Sequence, residues 1–427
     1  MRKAWSKGVK GITAAAAVGF FLLGNSVSAA PMELTLEQSV NMALRQNPSI
    51  EVAQAQLNGA QADVSKARGG FGPSLKLSAT GTYLDEQSLS SGSRESYDSR
   101  ISLTLPIYSG GGLEGVLGQA KANRAYYSEG VDKTRQQLAL DVTTAYYNIL
   151  QTKNIVKLSE ESLANTQSHV NNTQAFFQAG TVPKSDVLRA EVELAQVKQD
   201  LIKAQNSYYV AIAAFNNLLG LDHREELVLI DPLIYTKQDI NLEESLNKAL
   251  LQRPEIKQGE SQVQAAEYSV KAAKSGHKPT LNLTGSLGWT DSEFPPTDQD
   301  WSVKLSAGFN LFDSNVTNAT VKKAQSNTQQ MQATLQKIKD DINLEVRQTY
   351  LNTTEAEERI NTATKAQEKA EEDLHIAQVR YSAGVGTNIE VLDAQVALTE
   401  AKTNYTAALF DYNVGLAKLR KATGTSI

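Results

Sequence analysis

The chain of 427 residues contains no cysteine, which excludes disulfides, thiolate metal sites and a lipid-modified N-terminal cysteine. Histidine is nearly as scarce. His169, His223, His277 and His375 stand singly, without metal-ligand spacing, and are expected at the surface. Ser109-Gly110-Gly111-Gly112 lacks the lysine and spacing of a phosphate loop and is expected to be a flexible joint. No catalytic, cofactor-binding or metal-binding residue is assigned, and no enzyme activity is expected. Long apolar runs are also missing. The first, GITAAAAVGFFLLG, has 14 residues where a spanning helix needs about 20, and no later stretch comes close. It follows Arg2, Lys3, Lys7 and Lys10 and precedes the small residues Val27-Ser28-Ala29, the pattern of a secretory signal peptide over residues 1–29. Its removal takes away four cations and no acids, so the net charge moves from −5 to −9, which argues against a nucleic-acid partner. An exported chain of this kind that resides in a membrane must be held there by its own polypeptide.

What the chain does have is duplication. QAGTVPKSDVLRAEVELAQVKQDLIKAQNSYYVAIAAFNNLLG, from Gln178 to Gly220, returns 204 residues later as SAGVGTNIEVLDAQVALTEAKTNYTAALFDYNVGLAKLRKATG, from Ser382. Val187, Ala190, Leu194, Val197, Leu201, Ala204, Tyr208, Ala211, Phe215 and Leu218 alternate steps of three and four, one apolar seam on a helix packed coiled-coil fashion. Val391, Ala394, Leu398, Ala401, Tyr405, Ala408, Tyr412, Gly415, Leu419 and Ala422 keep the register. Gly180 and Gly384 fall where a preceding helix must stop. A second cassette, residues 36–68 with a break at Pro48, returns over 242–274 with Pro254 in its place. The spacing thus predicts structural repeats over 34–220 and 241–424, joined by a segment 221–240 whose LVLIDPLIY reads as a short strand-bearing belt.

Between the cassettes the period changes to two. Leu75, Leu77 and Ala79, then Ile101, Leu103, Leu105 and Ile107, alternate with polar residues on either side of a polar loop. Leu281, Leu283, Leu287 and Trp289, then Trp301, Val303, Leu305, Ala307, Phe309 and Leu311, repeat the arrangement around DSEFPPTDQD. Tyr83, Tyr97, Trp289 and Trp301 sit at the loop-side ends and Tyr108 and Phe312 at the other, where the aromatic girdles of a membrane barrel would lie. Helices of about 60 residues are predicted after each hairpin, with narrow apolar seams that suit a single curved wall better than a solid bundle.

Four strands are too few to close a barrel, and an open edge is not tolerated in lipid. The expected fold is therefore an internally duplicated α+β membrane protein, in which three copies share a 12-stranded β-barrel of four strands each, continued by a ring of helical rods.

At these residues the chain resembles the TolC family of outer-membrane factors. The duplicated pattern AG-x4-SDVLRAE-x2-LAQ-x3-DL and AG-x4-IEVLDAQ-x2-LTEAK, closing at Gly220 and Gly424, carries the resemblance over the whole mature chain. It implies a homotrimer with a barrel in outer-membrane lipid and a long helical tunnel through the periplasm. It further implies passive, gated export in a tripartite efflux pump or type I secretion system. Energy and choice of cargo would come from an inner-membrane transporter and a periplasmic adaptor.

The resemblance also implies roles for particular residues. The turns Gly180, Thr181, Val182, Pro183 and Gly384, Val385, Gly386, Thr387 would form the periplasmic tip where adaptor hairpins dock. Glu390 and Asp393, with Asp186 in the first copy, match acids that ring the constriction, and Tyr381 matches a tyrosine of the gate links. The arginine expected five residues after Tyr381 is replaced by Gly386, so the closed state would be held by something else, with Lys184 and Arg189 as candidates, or be looser. Glu390 has a second reading, because Thr387-Asn388-Ile389-Glu390 fits a capping box. A rival reading of the whole chain, a non-conducting trimeric coiled-coil tether or adhesin stalk, shares the seams but leaves the two hairpins unexplained.

Overall fold

The computed structural model describes residues 32–85 and 94–425. The proposed signal peptide, residues 1–29, lies outside the described residues. The order of elements shows the duplication directly. β1 (Met32–Leu34), α1 (Leu36–Gln46), α2 (Pro48–Gly69), β2 (Ser74–Tyr83), β3 (Glu95–Tyr108), α3 (Gly112–Gln178) and α4 (Lys184–Leu219) make the first half. β4 (Leu227–Leu229), α5 (Leu242–Gln252), α6 (Pro254–Lys274), β5 (Thr280–Asp291), β6 (Asp298–Gly308), α7 (Val316–Ser382) and α8 (Asn388–Ala422) make the second.

Proline explains why each short helix is two. Pro48 and Pro254 stand at the first position of α2 and α6, where a missing N–H costs nothing, and the preceding Asn47 and Arg253 adopt extended backbone. α3 and α7 each run 67 residues, roughly 100 Å at 1.5 Å per residue. α2 and α4 pack beside α3, and α6 and α8 beside α7, while α3 also meets α6 and α8. The seam residues Val187, Ala190, Leu194, Ala204, Ala211 and Phe215 of α4 are buried, as are Val391, Ala394, Ala401, Ala408, Tyr412 and Leu419 of α8.

The four long strands form one antiparallel sheet in the order β2-β3-β5-β6. Register sorts their side chains into two faces. One carries rows such as Leu77, Ile101, Leu287, Trp301 and Leu75, Leu103, Gly285, Val303. The other carries Ser74, Thr104, Thr284, Lys304 and Lys76, Ser102, Ser286, Ser302. Leu75, Leu77, Trp301, Val303 and Leu305 are exposed on the apolar face, which in water would be a costly surface and in lipid is the favourable one. β6 ends at Gly308 and not at Leu311, so Phe309, Leu311 and Phe312 lie in the exposed connection to α7.

The joint expected to be flexible is tight. Gly110 and Gly111 take left-handed φ values of 67° and 94°, and a Cβ at Gly110 would approach the Lys278 side chain and the Ser275 carbonyl to 2.9 Å. In the second half Ser314 and Asn315 adopt the left-handed region at φ 50° and 70°. Chain geometry at the strand-to-helix corner, not looseness, selects these residues.

The belt between the halves packs across the waist. β4 pairs in parallel with β1. The Tyr146 hydroxyl on α3 lies 3.2 Å from the Leu34 carbonyl and accepts from the Asp231 amide at 3.1 Å. The Tyr412 hydroxyl on α8 donates to the Thr236 carbonyl at 2.9 Å and accepts from the Gln238 amide at 3.2 Å. Tyr146, Phe215, Leu219 and Tyr412 anchor the largest buried cluster there.

Candidate functional site

The end of the rods far from the sheet is built by two equivalent reversals. After α3, Gly180 turns left-handed at φ 78°, and its amide and that of Thr181 donate back to the Phe177 and Phe176 carbonyls. After α7, Gly384 does the same at φ 74°, and the amides of Val385 and Gly386 both donate to the Arg380 carbonyl at 3.0 Å. Both closures satisfy carbonyls that a helix end leaves open. The second turn also explains the missing arginine. A Cβ at Gly386 would come within 2.9 to 3.0 Å of Tyr381 and Arg380 backbone atoms, so no side chain fits there without displacing the end of α7. The cation near this turn is Arg380 itself, its guanidinium 3.4 Å from the Val385 carbonyl and 3.9 Å from Glu390.

Around the turns, Gly180, Thr181, Pro183, Gly384, Val385 and Thr387 are exposed, and Val182 and Gly386 half-buried. Thr387 caps α8: its hydroxyl accepts from the Glu390 amide at 3.3 Å, and the Glu390 carboxylate reaches back to the Thr387 amide at 3.5 Å. Glu390 is thus occupied by the cap and by Arg380 on an exposed corner. Asp393, one turn on, is exposed and lines a groove of about 480 Å³ between α4 and α8. Leu188, Val192, Ile389 and Val396 form its apolar walls, and Arg189 and Glu193 stand opposite.

Tyr381 of α7, expected among the gate links, is only 7% exposed and packs against α3. Its hydroxyl donates to Thr173 at 3.2 Å and its ring lies 5.1 Å from His169 and 5.5 Å from Phe176. His169 is not a surface histidine: it is 5% exposed, and its Nε2 lies 2.6 Å from the Asn388 Oδ1. The Asn388 amide nitrogen in turn donates to the Asp186 carbonyl at 3.1 Å, which fixes Nε2 as the protonated nitrogen of the neutral ring. One chain of hydrogen bonds therefore ties α3, α8 and the first turn of α4, and it brings Asp186 beside the second turn. The other three histidines are exposed.

The sequence held one signal for this cluster. Thr166, Val170 and Thr173 continue the three-and-four seam of α3, and His169 adjoins it.

Burial holds the His169 imidazole below its ordinary pKa of 6.5, with the Asn388 bond opposing. A group whose folded pKa is depressed in this sense keeps its contribution above the unfolded value and loses it as pH falls through 6.5. The tip cluster should loosen between pH 7 and pH 5, seen as lower amide protection, relative to intrinsic exchange at each pH, in α4 and α8 next to the turns. Protection in H169Q that retains the wild-type pH response would assign the effect to another group.

The remaining expected site residues lie at the other end of the molecule. Tyr83, Tyr97, Trp289 and Trp301 occupy four successive rows at the loop side of the apolar face, and Tyr97 packs edge-on against Phe294 at 5.7 Å.

Comparison with known proteins agrees with this geometry. The family described as "Outer membrane efflux protein" matches residues 39–221 and 245–425. The chain is 25% identical over 406 residues to the outer membrane protein TolC of Escherichia coli (strain K12), covering 91% of this chain and 82% of that protein. It is 23% identical over 350 residues to the alkaline protease secretion protein AprF of Pseudomonas aeruginosa, covering 77% and 70%. The solved outer-membrane channel OprN superposes with a TM-score of 0.81 at 21% identity, covering 91% of this chain and 89% of the other.

Proposed function

The chain belongs to the outer membrane efflux protein family and is an outer-membrane exit duct of efflux and secretion systems, and we propose from that premise how its three parts act. Three copies join β6 of one to β2 of the next and close a 12-stranded barrel. The single observation that carries this is the four-stranded sheet, whose two edges are unpaired among the described residues and which has an exposed apolar face and a polar one. Lipid covers the apolar face, the aromatic ends mark the interface, and the polar face lines water. The helical rods continue the channel into the periplasm.

The turns at Gly180–Pro183 and Gly384–Thr387 form its periplasmic tip. The exposed residues of these turns, Thr181, Pro183, Val385 and Thr387 among them, offer the surface on which the helical hairpin of a periplasmic adaptor coupled to an inner-membrane transporter docks. Conduction is passive and involves no catalytic step. Asp393, Glu390 and Asp186 supply negative charge near the constriction, while Tyr381 acts as a brace between α3 and α7.

Native mass in mild detergent tests the assembly: a trimer is expected, and a soluble monomer would sink the barrel. The gate acids have their own test. In single-channel recordings, E390A/D393A should lose cation preference and at least ten-fold of its sensitivity to block by multivalent cations, with D393A carrying more of the change because Glu390 is occupied by its cap. Selectivity equal to wild type in the double variant would remove these residues from the constriction.

A further inference from the structure

The polar face of the sheet carries an uneven distribution of charge. Nearest the helices it is short and neutral, with Ser74, Ser102, Thr104, Thr284, Ser286 and Ser302, except at two places. Lys76 stands on the edge strand β2 and Lys304 on the opposite edge strand β6, in adjacent rows. Both are exposed, and neither has a carboxylate within 4 Å among the described residues. Toward the loops the sign reverses. Asp98, Asp298 and Asp300 share that face with Arg100, which pairs with Asp98 at 3.0 Å and with Asp300 at 3.4 Å across the intervening Gly288.

We propose that Lys76 and Lys304 form a basic collar inside the barrel that binds multivalent anions, so that the outer pore selects charge independently of the acidic tip. The inference rests on the trimeric duct reading. On that reading the polar face is the lumen, because the apolar face must meet lipid. Placement on the two edge strands brings Lys304 of one copy and Lys76 of the next to the same seam, and three copies set six ammonium groups around one axis. Their neighbours along the rows are hydroxyls, which neither neutralise the lysines nor fill the pore. Charges that converge in a channel with low-dielectric walls reinforce one another and hold a counter-ion that each alone would not. The fitting ligand is a compact anion with several charges, such as an oligophosphate or a cargo segment with clustered carboxylates. The acidic band nearer the loops would then favour its release outward.

The test uses the full mature chain in mild detergent with inositol hexakisphosphate as probe. Titration calorimetry is run at low ionic strength, where the Debye length exceeds the roughly 10 Å it has at 0.1 M. The expected result is one anion per three chains, weakened at least ten-fold in K76Q/K304Q and unchanged in K322Q/K323Q. The latter pair removes equal charge from exposed positions in the first turns of α7. Native mass of each protein is measured alongside. A trimer that ignores the anion, binds one per chain, or loses affinity equally in the control pair overturns the collar and leaves the duct standing. A monomer overturns both.

Discussion

Replacing Arg253 by alanine should destabilise the protein by about 3–5 kcal/mol, the cost of leaving buried charge without its partner. Arg253 is 3% exposed and sits where the end of α8 meets the start of α6. Its Nε lies 2.8 Å from Glu255 and one terminal nitrogen 2.9 Å from Glu345. The other donates to the Lys421 and Ala422 carbonyls at 3.3 Å each. A single side chain therefore neutralises two acids and closes the open carbonyls of a helix C-terminus, where a cation is favoured by the dipole. Lys421 adds a second cation to Glu345 at 3.0 Å.

The equivalent corner of the first half is held more lightly. There Asn47 donates its amide to the Leu218 carbonyl at 2.9 Å and caps α2 through Ser49. Asn47→Ala should cost about 1 kcal/mol, so the two repeats should differ in sensitivity. The readout is the thermal midpoint in detergent, expected to fall on the order of 5 °C for R253A. An R253A protein that melts with wild type would show the cluster to be a surface ornament. Acid reports on the same joint. Burial alone would raise the Glu345 carboxyl, but the Arg253 and Lys421 charges outweigh it and leave the pKa below 4.5. The joint thus contributes fully above that value and weakens as pH falls below it, a slope that E345Q should flatten.

Tyr146→Ala should cost a similar amount, about 3–5 kcal/mol, because the side chain is fully buried and its removal leaves a cavity. The ring packs edge-on against Phe215 at 6.0 Å, and burial pushes its hydroxyl up to about 12, so it stays a neutral donor and acceptor at any physiological pH. The Asp231 carboxylate lies 3.2 Å from that hydroxyl and also accepts from the Leu36 amide at 2.7 Å. Tyr146→Phe separates the two contributions. It keeps the ring but strips the Asp231 amide of its acceptor, for about 1–3 kcal/mol. Limited proteolysis within residues 221–240 should accelerate in both variants, more in alanine. A belt that remains protected in Tyr146→Ala would place its anchorage elsewhere, at Tyr412 and at Tyr235, whose hydroxyl is 2.6 Å from Glu357.

Much of this architecture was legible from periodicity. Steps of three and four located α4 and α8, and alternation located β2, β3 and β5, because helix and strand write their own repeat into the chain. Pro48 and Pro254 marked the breaks that divide α1 from α2 and α5 from α6. Where alternation ran on past Gly308 it misled, since Phe309 and Leu311 keep an apolar spacing after the backbone has left the ladder. The tip was legible in part. Gly180, Gly384 and the Thr387 cap are local features, and each stands where its chemistry required.

The contacts that distinguish this tip were not legible, because each joins residues far apart in the chain. His169 and Asn388 lie 219 positions apart and Tyr381 and Thr173 lie 208 apart, so nothing in either neighbourhood indicates the other. By sequence Gly386 was a missing arginine; in the structure a Cβ there would crowd the backbone at Arg380 and Tyr381.

Sequence by itself determined the duplication, the order of helices and strands, the corners, and which residues of each strand share a face, since those follow from backbone dihedrals and spacing within a few residues. Only the tertiary structure decided which side chains are buried and with whom. It turned His169 inward, drew Arg253 beneath the end of α8, strapped the belt to Tyr146 and Tyr412, and set Lys76 and Lys304 on opposite edges of one sheet. The physical reason is that burial and pairing belong to the surface between two elements, and the free energy of that surface depends on both partners at once.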